Sequence, residues 1–168
     1  MSSEGRVWRF GDDVNTDFII PGRYLDNYDP AHLASHAMEG VSKEFAENVR
    51  KGDVVIAGRN FGCGSSREQA VIALKHAGIS AVLAKSFARI FYRNAVNLGL
   101  RVVISPDACD LFIDGDVVRI DMSGGVVVSE SRKVTARIDP IPEHVRRILE
   151  AGGLVPYIKG VIADRAKS

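Results

Sequence analysis

Three short runs, at 53–57, 80–84 and 101–104, are apolar at every position after the first, and helix-length segments ending at Gly78 and Gly99 separate them. A strand with no polar face must be covered on both sides, which is the habit of parallel sheets. Strand, helix, strand, helix, strand in that order predicts right-handed crossovers and a buried parallel core. The chain is therefore expected to be an α/β protein.

Around this core the pattern changes. Residues 5–10 alternate apolar and polar, which predicts a half-buried opening strand. Residues 11–15 read as a turn, and 16–20 as a further apolar strand that carries Asp17 and stops at Pro21-Gly22. Residues 23–28 read as a surface loop. Asp29 before Pro30 is a helix start, with Leu33, His36 and Ala37 on one face up to Gly40, and a shorter helix covers 42–49. Beyond Pro106 come short strands at 117–121, 126–129 and 134–138, a helix at 143–151, and a basic tail after Gly152-Gly153. With no repeat and no long Pro/Gly/Ser linker, residues 1–168 read as a single domain: a parallel strand–helix core with an appended part of short strands.

Charge and cysteine content exclude several classes of function. Of 168 residues, 22 are basic and 21 acidic, a formal net charge of +1. So balanced a chain lacks the basic excess that drives binding to nucleic acids or membrane surfaces. No apolar run approaches the roughly 18–20 residues of a membrane span, and residues 1–9 hold no apolar signal core. A cytoplasmic protein is expected. Cys63 and Cys109 are too few for a disulfide scaffold or for holding an iron–sulfur cluster alone, and they lack the spacing of a zinc site. Two free thiols are expected, and no metal.

The chemistry concentrates in Gly58-Arg59-Asn60-Phe61-Gly62-Cys63-Gly64-Ser65-Ser66-Arg67-Glu68, which follows one buried strand and leads into a helix. Glycines allow close backbone approach to a ligand, and a helix start favours anions. Arg67 suits a carboxylate through two parallel hydrogen bonds. A serine supported by N–H donors can take a proton from a carbon acid. The plainer reading is that Ser65 or Ser66 only caps the helix, with Glu68 as its capping partner. Neither a phosphate-binding GxxxxGK[ST] loop nor a GxSxG nucleophile elbow is present. Cys63 has no identifiable histidine partner. His32 and His36, spaced i, i+4, read as a packing pair rather than half a metal site. Asp12 and Asp13 fit turn chemistry, whereas Asp17 in an apolar run is unusual. Arg89 and Arg93 read as one helix face available to a partner.

The loop at 58–68, the run Gly11-Asp12-Asp13-Val14-Asn15-Thr16-Asp17-Phe18-Ile19-Ile20-Pro21-Gly22-Arg23-Tyr24-Leu25, the run 84–94 and Glu150-Ala151-Gly152-Gly153-Leu154 together resemble the small subunits of 3-isopropylmalate dehydratase. These are free-standing forms of the swivelling β/β/α domain of the aconitase superfamily. The resemblance implies a hydro-lyase of amino-acid biosynthesis that is active only with a large subunit, which carries a [4Fe–4S] cluster and leaves one iron open to a 2-hydroxy dicarboxylate. On this chain it implies Ser65 as the base, and Ser66, Arg67, Arg23 and Asp17 as substrate contacts. Tyr24, Leu25, Asp26 and Asn27 correspond to the loop that reads the variable substituent, where homoaconitases can place an arginine. Asp26-Asn27 offers no such cation, which disfavours a tricarboxylate. The sister substrates are those of homoaconitase and of citramalate or dimethylmalate dehydratase. Isolated, such a chain can self-associate. A nucleic-acid-binding module and a scaffold domain are the readings from other classes.

Overall fold

The computed structural model describes residues 4–168; Met1, Ser2 and Ser3, the beginning of the segment read as lacking a signal core, lie outside it. The strands are β1 (Glu4–Arg9), β2 (Val54–Ala57), β3 (Ala81–Ala84), β4 (Arg101–Ile104), β5 (Val117–Asp121), β6 (Val126–Ser129) and β7 (Val134–Arg137). The helices are α1 (Thr16–Ile19), α2 (Pro30–Ser35), α3 (Phe45–Asn48), α4 (Glu68–His76), α5 (Arg89–Leu98), α6 (Ala108–Leu111), α7 (Glu143–Glu150) and α8 (Leu154–Lys167). The seven strands form one sheet in the order β4-β3-β2-β1-β5-β6-β7. Pairings from β1 to β4 are parallel, and those from β1 through β5 and β6 to β7 are antiparallel.

Because side chains alternate across a strand, the fully apolar strands feed two separate cores. Val55, Ala57, Val82, Ala84 and Val102 face the helical layer with Leu33, Phe45, Val71, Leu74 and Phe91. Val54, Ile56, Ala81, Leu83 and Val103 face the other way, against Cys109, Phe112, Val118, Ile120, Val127 and Ala136. The antiparallel half thus curls back over the second face of the parallel half. The two ends of the sheet are tied where the Ser105 hydroxyl donates to the carbonyl of Arg137 (2.7 Å) and the Asp139 N–H to that of Ile104 (2.8 Å). Such ties blunt both edges against pairing with other chains.

Several boundaries moved for physical reasons. Helix α5 ends as expected at Gly99, whose φ of +78° lets the Leu100 N–H reach back to Ala95 (2.8 Å). Residues 16–19, read as a strand, form a one-turn helix capped by Asn15, whose side chain accepts from the Phe18 N–H (2.8 Å). A short apolar run does not distinguish the two states, so Asp17 sits on a helical turn. The helices expected at 30–40 and 42–49 shrink to Pro30–Ser35 and Phe45–Asn48, and Asp29 caps the first as expected. The basic tail is the helix α8; Pro156 lies in its first turn, where the missing N–H costs nothing.

Candidate functional site

The loops that leave the carboxyl ends of β1, β2 and β3 are laced together by their backbones, at the end of a parallel sheet where ligands bind in open α/β folds. On one side, Arg59 N–H donates to the Asp12 carboxylate (2.7 Å), Gly62 N–H to Val14 (2.7 Å) and Thr16 N–H to Cys63 (2.9 Å). On the other, Asn60 N–H donates to the Ser86 hydroxyl (2.8 Å), Phe61 N–H to the Ser86 carbonyl (3.1 Å) and Ala88 N–H to Phe61 (2.9 Å). Asp13 accepts from the Asn60 amide (3.1 Å). Asp12 and Asp13 therefore serve the turn, as their spacing predicted.

A cleft of about 680 Å³ opens above this lacing, lined by Ser65, Ser66 and Arg67 on one wall and by Phe87, Ile90 and Arg93 among the residues of the other. Neither serine caps α4. The helix begins at Glu68 with Arg67 in the cap position and no side-chain cap bond, so the serines precede it and stand exposed on the loop. The carbonyl of Ser65 is held by the Thr16 hydroxyl (2.9 Å), while among the described residues neither serine hydroxyl has a hydrogen-bond partner. Arg67 is turned away from the helix start, donating to Asp17 (3.0 Å) and to the Ile20 carbonyl (3.1 Å). The structure thus gathers Ser65, Ser66, Arg67 and Asp17 across a separation of about 50 residues in sequence.

Asp17 is exposed, yet its carboxyl is held below the ordinary carboxylate range, first by the hydrogen bond from Arg67 and then by the Gly22 N–H. A lowered folded-state value means that the pair strengthens folding above the unfolded carboxyl value and ceases to do so as pH falls through the lowered one. In a carbon-detected NMR titration Asp17 is expected to protonate at lower pH than ordinary aspartates and to move toward their range in Arg67→Ala, where the Gly22 N–H bond remains. An Asp17 that titrates normally in the unaltered chain would remove this pairing.

Arg23 and the loop at 24–27 do not line the cleft. Arg23 donates to Glu39 (2.6 Å), which also accepts from the Tyr24 hydroxyl (2.7 Å) and pairs with His36 Nδ1 (2.6 Å). Burial opposes the Glu39 carboxylate, but the bonds from Tyr24, His36 and Arg23 outweigh it and hold the group below its ordinary range. Tyr24 stacks on His36 at 3.7 Å, so His32 and His36 are packing residues. Leu25 is half-buried, and Asp26 and Asn27 are exposed. Glu39 carries no sequence signal, because its role depends on contacts across the turn after α2.

Cys63 and Cys109 are both free thiols, as expected; burial pushes the Cys109 thiol up. Among the described residues, no group of three or more His, Cys, Asp or Glu side chains could hold a metal ion, so a cluster does not fit the donors of this chain. Among the described residues, no helix is long and apolar enough to cross a membrane.

The aconitase C-terminal domain family matches residues 14–105, which takes in the serines and the loops after β2 and β3. A 3-isopropylmalate dehydratase small subunit of Methanopyrus kandleri is 56% identical over 92% of this chain and 91% of its own. A methanogen homoaconitase small subunit of Methanothermobacter thermautotrophicus is 56% identical over 94% and 91%. The crystal structure of 3-isopropylmalate dehydratase from Methanocaldococcus jannaschii superimposes with a TM-score of 0.95, at 51% identity and 99% coverage of both chains. The chain belongs to the aconitase C-terminal domain family, in the group of small subunits that includes those of 3-isopropylmalate dehydratase.

Proposed function

We propose that the chain is the small subunit of a 3-isopropylmalate dehydratase, which completes a site interconverting 2-isopropylmalate and 3-isopropylmalate by dehydration and rehydration in leucine biosynthesis. In this reading all of 1–168 is one swivelling domain acting in the cytoplasm with a large subunit that carries the [4Fe–4S] cluster. The observation that carries it is the cleft itself. Its walls offer hydroxyls, guanidiniums and an apolar surface, but neither a carboxylate nor a set of metal ligands. Such a half-site can bind an anionic carbon acid and accept its proton, and it needs a second surface for the departing hydroxyl.

The roles are those the resemblance implies, and the position of Ser65, Ser66 and Arg67 on one wall of the cleft supports them. Ser65, as the alkoxide, takes the proton from carbon at Oγ in dehydration and returns it in rehydration, and Ser66 lines the same cleft as a donor to the developing charge. Arg67 grips a carboxylate in fork geometry, with Asp17 holding its guanidinium in place until substrate arrives. Arg23 is a second substrate arginine that reaches the site when the 24–27 loop swings over it, and Tyr24, Leu25, Asp26 and Asn27 then face the substituent. Ile90 is 44% exposed and lines the cleft beside Phe87, a wall that suits an isopropyl group. Asp26 presents no cation to a third carboxylate, which speaks against homocitrate although a homoaconitase subunit is as similar in sequence.

The test is an anaerobic assay of this chain co-expressed with its large subunit, with isopropylmalate, citramalate and homocitrate in parallel. Turnover is expected to favour isopropylmalate and to be absent with the chain alone. A preference for homocitrate or citramalate moves the protein to a sister reaction, and turnover by the isolated chain removes the need for a partner.

A further inference from the structure

The two arginines assigned to substrate by resemblance are each held by a carboxylate of this chain, but in different places. Arg67, in the wall of the cleft, pairs with Asp17 at 3.0 Å, whereas Arg23, outside it, pairs with Glu39 at 2.6 Å. The Asp17 oxygen that accepts from Arg67 also accepts from the N–H of Gly22 (3.1 Å), the residue before Arg23. Glu39 gathers more. One of its oxygens accepts from Arg23 and from the Tyr24 hydroxyl (2.7 Å), and the other pairs with His36 Nδ1 (2.6 Å). The side chains are layered as well, with the Arg23 guanidinium 4.7 Å from the centre of the Tyr24 ring and that ring stacked on His36 at 3.7 Å.

Asp17 and Glu39 belong to one rigid unit. Met38 N–H donates to the Ile19 carbonyl (2.7 Å) and Gly40 N–H to that of Phe18 (3.1 Å), so the turn is bonded to α1 on either side of Glu39. A Cβ on Gly40 would stand 2.6 Å from Phe18 Cα, which leaves the two segments no room to slide. Residues 22–25 run between these two carboxylate anchors, and beyond them the Gln69 amide reaches the Leu25 carbonyl only at 3.4 Å. The Arg23 side chain is 63% exposed, so its pair with Glu39 is screened by solvent and open to competition from another anion. Glu39 keeps its bond to His36 when Arg23 leaves, so release of the guanidinium does not strand a bare carboxylate.

We infer that Glu39 is a positioning residue for substrate binding, which stores Arg23 outside the cleft and yields it to the same substrate carboxylate that Arg67 grips. This rests on the proposed function, which gives Arg23 its role on substrate. Apparent affinity is lowered by the fraction of molecules in which the binding group is not available. The strength of the Glu39 pair therefore sets part of the KM, although Glu39 itself never touches substrate.

Glu39→Gln keeps the size of the side chain and removes its charge. In complexes with the large subunit at saturating concentration, it is expected to lower the KM for 3-isopropylmalate roughly two- to fivefold, the scale of one exposed ion pair, with a smaller change in kcat. A residue that only supports the turn would raise KM and lower kcat instead. In an Arg23→Ala background, where KM is expected to be raised already, Glu39→Gln should change it little, because the effect runs through Arg23. A KM that is unchanged or raised in Glu39→Gln, an undiminished fall with Arg23 absent, or an unchanged KM in Arg23→Ala overturns the assignment. A second readout needs no turnover: amide relaxation by NMR of the full-length chain alone is expected to show more fast motion at residues 23–27 in Glu39→Gln, with 17–20 and 36–40 as rigid as before. Loosening of 36–40 as well, or no change at 23–27, overturns it too. Absence of turnover by the unaltered complex would instead sink the proposed function, and the relaxation would still decide whether Glu39 holds Arg23 and its loop.

Discussion

Replacing Ser65 by alanine is expected to lower turnover of the two-subunit enzyme by roughly 10²–10⁴-fold, the usual contribution of a positioned proton-transfer group. Folding should survive. Ser65 is exposed, and the loop is fixed through its carbonyl, which accepts from Thr16, rather than through its hydroxyl. Surface replacements of that kind change stability by no more than about 0.5 kcal/mol. A thermal melt of the isolated chain and an anaerobic assay of the complex separate the two effects. Activity retained by Ser65→Ala would show that another group takes the proton. Loss of activity together with a large drop in the melting midpoint would show that the serine is a structural element of the loop.

Gly62→Ala is expected to do the opposite, costing stability first and activity through it. The residue has φ +82°, in the left-handed region that an L side chain enters at a cost of about 1 kcal/mol or more. Its new Cβ would stand 2.2 Å from Phe91 Cγ and 2.4 Å from Phe91 Cβ. Phe91 is only 2% exposed, and its ring is held edge-on by Phe61 at 5.3 Å and stacked with Phe87 at 6.3 Å, so it has nowhere to retreat. Overpacking of this sort costs about 1–3 kcal/mol. The sum, about 2–4 kcal/mol, lowers the melting midpoint of a chain this long by roughly 5–15 °C. In a Phe91→Ala background the clash with the ring disappears, while the close contact with Cβ and the conformational part remain, so the two replacements should be partly non-additive. A midpoint within about 2 °C of the unaltered chain would mean that the loop shifts off α5 at little cost.

The parallel core was legible because its signals are local. Val54-Val55-Ile56-Ala57 and Ala81-Val82-Leu83-Ala84 have no polar face, and Gly99 stops α5 where the sequence places it. The site was legible in part. Resemblance picked out Ser65, Ser66, Arg67 and Asp17, and the structure brings these four together, although Asp17 stands on a helical turn rather than in a strand. Resemblance also picked out Arg23, which the structure holds against Glu39 outside the cleft. Helix α8 was hidden because Pro156 and Gly160 resemble breakers when only local propensity is considered.

By itself the sequence determined the alternation of buried strands and crossover helices, the glycine positions that make a close turn possible, and a nearly even balance of 22 basic and 21 acidic side chains. These depend on contacts within a few residues or on composition, so they can be read along the chain. Only the tertiary structure decided which cations are free. Arg23, Arg67, Arg89 and Arg93 are chemically alike in the sequence, but Asp17 and Glu39 pair with the first two, while the other two line the cleft with no carboxylate partner among the described residues. An ion pair forms across about 50 positions of sequence only when the sheet has brought its loops together, and no local pattern encodes that distance.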